Sequence, residues 1–333
     1  MKKRWIGMAA VLMFGAVLTG CAPKEASQDF YAMDTAMNIR AYGRSAQDAV
    51  NECVQYINAL EADISRTNEE SDLYALNHAE GKPVTVSEQT ADVIKQAMQL
   101  AQQTDGMFDP TIAPLSDLWG IGTEHARVPE QAEINACLPL IGYQAIAMDG
   151  TAISMPAQVQ VDLGGIGKGY AADQAARILR EDGIDRAIVM LGGNVYALGE
   201  KEKGMPWVVG ITDPNKPGDY FATLAVKDTS IVTSGDYERY IEQDGKRYCH
   251  IFDPKTGYSA ETDLRSVTVV SQNSTLADAY STALYVMGFE QAQKFCEEQD
   301  IQAIFVRRDN HVFVTDGLKD AFSLVNTEYI YEG

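Results

Sequence analysis

The chain has 333 residues, with 27 Lys and Arg against 47 Asp and Glu and a formal net charge of −20. A balance this acidic excludes nucleic acid as an electrostatic partner, and it means that a bound polyanion needs a neutralising divalent cation. The five cysteines form no CxxC pair, which excludes a zinc module, and a domain this large has no need of a disulfide framework.

The chain opens with Met1-Lys2-Lys3-Arg4, an apolar run from Trp5 to Leu18, then Thr19-Gly20-Cys21. A basic start, an apolar core and small residues at a cleavage point make a secretory signal. The run is short for a membrane span, which needs about 20 residues. Leu18-Thr19-Gly20-Cys21 resembles a bacterial lipobox, in which the cysteine is lipidated and becomes the new N-terminus. The expected organisation is a signal over 1–20, a tether over 21–29 and one large domain over 30–333. The expected location is extracytoplasmic, lipid-anchored to the cell membrane. Without Lys2, Lys3 and Arg4 the mature charge is −23. Cys53, Cys137, Cys249 and Cys296 remain, and most read as buried small apolar residues.

Phe30–Tyr42 alternates and predicts a strand. Ser45–Ile64 places Ala49, Val50, Cys53, Ile57 and Leu60 on one helical face. Asp72–His78 is a short helix, and Ser87 caps another that runs to about Thr104. Gly106–Pro110 breaks it into a loop. Ala145–Met148 and Ala152–Met155 form a hairpin around Asp149-Gly150. Gln158–Leu163 is a strand leading into a glycine loop, followed by a helix over Tyr170–Asp182 and a strand over Arg186–Leu191. The second half is richer in strands: Val195–Leu198, Trp207–Ile211, Ala222–Val226, Ser230–Thr233, Tyr237–Glu242 and Ser266–Val270. Helices Leu276–Met287 and Phe289–Gln299 and strands Ala303–Arg307 and His311–Val314 complete the chain. Helices among runs of adjacent strands predict an α+β domain rather than a doubly wound sheet.

Four stretches carry chemistry. Val161–Asp173 reads VDLGGIGKGYAAD. Walker A fails, because Gly169 follows Gly167-Lys168 and Asp162 stands where its first glycine belongs. A Rossmann reading survives only in a loose spelling that ends in Ala172, without the βαβ context. What remains is strand, glycine loop and helix N-terminus, with Lys168 available to a phosphate or a polar ring edge. The alternative is a tight turn packing a helix on a strand. Asp278 and Thr282 are four apart on a helix, two hard oxygen donors suited to Mg²⁺; the alternative is a helix-start aspartate and a self-bonded threonine. His250 stands before the turn Asp253-Pro254-Lys255-Thr256-Gly257 and is a candidate general base. Asp253 either orients it or caps the turn. Thr233–Tyr240 offers a polar loop with aromatics.

In this order, with Ala32-Met33-Asp34-Thr35 and Gly106–Pro110 (GMFDP) before them, these stretches resemble the ApbE-like FAD:protein FMN transferases over about Phe30–Asp316. The resemblance implies a T-fold-like α+β architecture with mostly antiparallel sheets packed with helices. It implies FAD as substrate, Mg²⁺ as cofactor, and transfer of FMN through a phosphoester to a threonine or serine of a target protein, with release of AMP. It makes Gly165, Asp278, Ser281 and Thr282 the metal ligands. It places Met33, Phe108, Asp109, Asp162, Lys168 and Ile251 on the FAD and His250 at the proton transfer. Asp34 departs from the glycine of many relatives. The acceptor implied is a membrane redox subunit or extracytoplasmic flavoprotein with a Thr-containing motif. An Mg²⁺-dependent FAD pyrophosphatase, or a flavin-carrying lipoprotein without turnover, remains an alternative on the same residues.

Overall fold

The computed structural model describes residues 24–332. The signal and Cys21 therefore lie outside the described residues. A nine-stranded sheet takes the strands Glu25–Ala32, Thr35–Tyr42, Ala187–Leu191, Asn194–Leu198, Thr229–Gly235, Leu264–Ser271, Gln302–Arg307, His311–Val314 and Ile330–Glu332 in that spatial order. All neighbours are antiparallel except the last pair. This is the expected mixed architecture with antiparallel sheets. Chain order and spatial order coincide: three neighbouring pairs are joined by tight hairpins, and the other connections leave the sheet through the helices, the small sheets or loops and return to the next position.

One face of the sheet is covered by helices Ala46–Ile64, Gly167–Glu181, Ser274–Met287 and Phe289–Gln299, with helix Glu88–Gln103 packed on the first and third of them. In the first of these, Ala46, Ala49, Val50, Cys53, Val54, Ile57, Leu60 and Ile64 are buried, the spacing of one helical face. The other face holds a second core. There Ile231, Val270, Ile304 and Val314 meet Trp207, Phe221 and Leu224 of a three-stranded sheet. Cys53, Cys249 and Cys296 are buried free thiols, and Cys137 is half-buried.

Several expectations change. The first strand begins at Glu25, so Glu25–Gln28, read as tether, pair with Ile39–Tyr42 of the next strand. Phe30–Tyr42 is a hairpin rather than one strand. Its turn is Met33-Asp34, both left-handed at φ +48° and +58°, the geometry of a tight two-residue turn. That backbone favours glycine, which is the physical sense of Asp34 being a departure. Gln158–Leu163 forms no strand: Ala157-Gln158 close a turn, the Val161 amide donates to the Asn77 side chain and the Asp162 amide to the Pro110 carbonyl. Tyr237–Arg239 form a turn, and the strand begins at Tyr240. Helix Ala113–Trp119 has no capping hydroxyl and too short an apolar period to be read in advance.

The glycine-loop helix and the helix Ser274–Met287 cross at their N-termini, and each supplies an aspartate to the other. Asp278 Oδ2 accepts from the Gly169 amide at 2.8 Å. Asp173 accepts from the Ser274 and Thr275 amides, both at 2.8 Å, and from the Thr275 hydroxyl at 2.6 Å. A helix N-terminus carries unpaired N–H groups and partial positive charge, so both bonds are charge-assisted. The crossing is close enough that a Cβ on Gly169 would stand 2.3 Å from the Ser274 carbonyl oxygen and 2.7 Å from Asp278 Cβ. Gly169→Ala is therefore expected to destabilise the protein by about 3 kcal/mol or more, since overpacking against backbone has no cheap relief. Equilibrium denaturation of the variant measures this.

Candidate functional site

Helix Ala46–Ile64 ends where Ser65 turns extended, and the following Arg66 enters a cavity of about 520 Å³. That volume falls within the range of small-ligand sites. One wall is Asp162–Lys168, another is His250–Pro254, a third is Met107–Asp109, and the floor is the Asp278–Thr282 turn of its helix. The Met33-Asp34 turn closes one end, held by a bond from the Met33 amide to Glu61 Oε1 at 2.7 Å. Of the residues anticipated from sequence, Met33, Phe108, Asp109, Asp162, Gly165, Lys168, His250, Ile251, Asp278 and Thr282 all line this one cavity. Parts of the chain up to 249 positions apart are thus brought together, from Met33 to Thr282.

Ser281 is not among the lining residues. It is buried, its hydroxyl donating to the Asp278 carbonyl at 2.9 Å and sharing a 2.8 Å bond with Ser234 Oγ. Its oxygen is engaged in holding the strand Thr229–Gly235 against the helix, so as a metal ligand it is the weak member of the anticipated set.

The glycine loop acts differently from a phosphate cradle. The Gly164 amide donates to Asp162 Oδ1, those of Ile166 and Gly167 to the Leu163 carbonyl, and that of Gly169 to Asp278. The Leu163, Gly165 and Lys168 amides lack a protein acceptor among the described residues. The glycines serve close packing. A Cβ on Gly165 would stand 3.2 Å from the Phe108 ring and 3.7 Å from Thr282 Oγ1. Loop and helix floor therefore meet at that point.

That meeting leaves three hard oxygens without hydrogen bonds among the described residues: the Gly165 carbonyl, Asp278 Oδ1 and Thr282 Oγ1. Carboxylate, hydroxyl and carbonyl are the donor types a Mg²⁺ ion prefers. No group of three or more His, Cys, Asp or Glu side chains is placed to hold a metal among the described residues. The site therefore suits a hard ion that takes its remaining ligands from water and phosphate rather than a zinc-type ion. Asp278 serves twice, one oxygen tying down the glycine helix and the other facing the cavity.

His250 follows the strand Lys246–Cys249 and is half-buried. The Arg239 carbonyl accepts from both its backbone amide, at 3.0 Å, and its ring Nδ1, at 3.2 Å. A carbonyl accepts only, so Nδ1 carries the proton and Nε2 keeps the lone pair. Desolvation, aided by the charges of Arg239 and Lys168 and opposed by Asp162, pulls the imidazole down to about 4. It is thus neutral at physiological pH. Asp253 does not orient it. Its oxygens accept from the Lys255 amide and the Thr256 hydroxyl, so it caps the turn. Asp109 is likewise engaged, with Thr111 and the Tyr143 amide, and burial pushes its carboxyl above the usual range. It shapes the wall more than it offers a free acceptor.

Sequence reasoning missed Arg66 and Asp117. Arg66 grips both Asp117 oxygens at 2.7 and 2.8 Å and Asp162 Oδ2 at 3.0 Å, which fixes Asp162 from behind. Neither sits in a periodic pattern or a motif; only the pairing in space marks them. The described tautomer and charge of His250 have a direct test. Titration of the His250 ring by NMR is expected to give a midpoint near 4, with a ¹⁵N signature of protonated Nδ1 and bare Nε2. A midpoint at the ordinary value of about 6.5 would contradict this environment.

Comparisons with known proteins place the chain among named relatives. The ApbE family model matches residues 33–305. A curated protein of Treponema pallidum, called FAD:protein FMN transferase, is 32% identical over 352 residues, covering 98% of this chain and 97% of that protein. One of Klebsiella pneumoniae with the same name is 37% identical over 281 residues, covering 83% of this chain and 87% of that protein. Among solved structures, the ApbE protein of Thermotoga maritima superposes with a TM-score of 0.84 at 32% identity, over 90% of this chain and 99% of that one. The Pseudomonas stutzeri flavinyl transferase ApbE gives 0.78 at 30% identity, over 86% and 92%. With the family match spanning most of its length and relatives above 30% identity covering most of it, the chain belongs to the ApbE family.

Proposed function

We propose that this protein is an FAD:protein FMN transferase: it moves the FMN half of FAD onto a hydroxyl of a partner protein and releases AMP. One observation carries the reading. A neutral histidine with a bare Nε2 and three unbonded hard oxygens converge on one cavity, in a chain whose family relatives bear that name.

The acceptor hydroxyl attacks the FMN-side phosphorus, and the bond from that phosphorus to the AMP phosphate oxygen breaks. The hydroxyl proton passes to His250 Nε2, which is positioned by the Arg239 carbonyl and neutral at working pH. Gly165, Asp278 and Thr282 would hold Mg²⁺. When bound, the ion neutralises pyrophosphate charge and stabilises charge on the leaving oxygen. The cavity needs that help, because seven carboxylates face it against three cationic side chains. Met33, Phe108, Asp109, Asp162, Lys168 and Ile251 form the walls against FAD. The lipobox-like Leu18–Cys21 supports a lipid anchor at Cys21 and an extracytoplasmic site of action. The acceptor would then be a membrane redox subunit or an extracytoplasmic flavoprotein with a Thr-containing motif.

Incubation of the protein with FAD, Mg²⁺ and an acceptor domain is expected to yield AMP and an acceptor heavier by one FMN less one water, read by mass spectrometry. AMP with an unmodified acceptor would sink transfer and leave hydrolysis; intact FAD with no AMP would leave a flavin carrier. His250→Ala is expected to keep FAD binding while transfer falls by about a hundredfold to ten-thousandfold. Thr282→Ala, which leaves the Asp278–Gly169 bond in place, is expected to raise the Mg²⁺ concentration for half-maximal rate by roughly tenfold or more. An unchanged metal requirement would remove Thr282 from the ligand set.

A further inference from the structure

The three cations on the cavity wall are in different states. Arg66 is held by Asp117 and Asp162, and Lys168 Nζ donates to the Gly164 carbonyl at 3.3 Å. Arg239 has no ion pair and no side-chain hydrogen bond among the described residues. In a chain with 47 acidic residues, an unpaired guanidinium facing a cavity is unusual. Its stem passes the turn at Gly122, with Cδ 3.5 Å from where a Cβ on that glycine would stand. Its own carbonyl is the group that holds His250. The residue thus ties the candidate base to the free cation.

We propose that Arg239 is a phosphate-binding residue of this site: its guanidinium takes pyrophosphate oxygens of the bound dinucleotide while its carbonyl fixes His250 beside the phosphorus under attack. This rests on the transferase reading for the identity of the dinucleotide. A guanidinium presents a planar fork of donors that matches two phosphate oxygens, whereas an ammonium acts as a point charge. As the bond to the AMP phosphate breaks and the acceptor proton moves to His250, negative charge grows on the leaving phosphate oxygen, and the guanidinium stands ready to receive it. Desolvation is the main cause of the neutral imidazole at His250, and the Arg239 charge adds to it, with Lys168 and against Asp162. A side-chain substitution leaves the carbonyl contact to His250 in place, so the two roles separate experimentally.

The test compares Arg239→Gln and Arg239→Lys with wild type, using FAD, FMN and riboflavin as binding probes and a thermal melt as a check on folding. Arg239→Gln is expected to weaken FAD binding by about tenfold to a hundredfold, as for lost charge-assisted hydrogen bonds. FMN should lose less, and riboflavin, which has no phosphate, should lose nothing. In turnover, the acid limb of kcat/KM should move up by about one pH unit, because removing a nearby positive charge lets His250 protonate more readily. Arg239→Lys should restore the pH limb and recover FAD affinity only in part. Unchanged FAD affinity in Arg239→Gln, or an equal loss for riboflavin, overturns the proposal. If wild type releases no AMP, the transferase reading fails separately, and the binding comparison still decides the role of Arg239.

Discussion

The site depends on the exchange of aspartates between two helix N-termini. Asp278 receives the Gly169 amide and Asp173 receives the Ser274 and Thr275 amides, so neither helix end is satisfied without the other. Both carboxylates are largely or fully buried, and a buried carboxylate is costly unless hydrogen-bonded to donors that favour its charge. Desolvation pushes Asp173 upward, and the Thr275 hydroxyl with the two amides pulls it back. The same contact that locks the crossing brings Asp278 Oδ1, Thr282 Oγ1 and the Gly165 carbonyl together. Architecture and chemistry share one joint here, and no side chain larger than hydrogen fits at Gly169.

Around that joint, charge decides what can bind. The cavity is acidic, and of its three cations only Arg239 stands without a protein partner among the described residues. Arg66 is committed to Asp117 and Asp162, and Lys168 to the loop carbonyl it folds back on. The glycine loop adds little of its own, since most of its amides are already bonded within the protein. An anionic dinucleotide in such a place would rely on a divalent ion at the floor and a guanidinium at the wall. His250 meets the opposite requirement. A base must lack a proton to accept one, and desolvation beside positive charge keeps it neutral.

Much of the site was legible as residue types at fixed spacing. Asp278 and Thr282 share a helical face at four residues apart, and His250 stands at a strand end before a five-residue turn, a place for a base or for a histidine that bonds to the turn. The rest was not legible, for physical reasons. Arg66 and Asp117 are 51 positions apart and meet only by packing. The glycine spelling suggested a ligand loop, because spelling does not distinguish a glycine that admits a ligand from one that admits a helix. The hairpin turn at Met33-Asp34 carried no glycine to mark it and was read as continuous strand.

The sequence by itself determined the acidic balance and the α+β class, and it marked Asp278, Thr282 and His250 as candidates for metal and proton chemistry. These follow from local periodicity, turn chemistry and side-chain type. Only the tertiary structure decided which way each group faces: Ser281 inward to Ser234 while Thr282, one residue on, opens to the cavity; Asp253 to its own turn and not to His250; the Arg239 carbonyl to the imidazole. Those outcomes turn on rotations and close approaches of a few ångströms between segments distant in the chain, which no local pattern encodes.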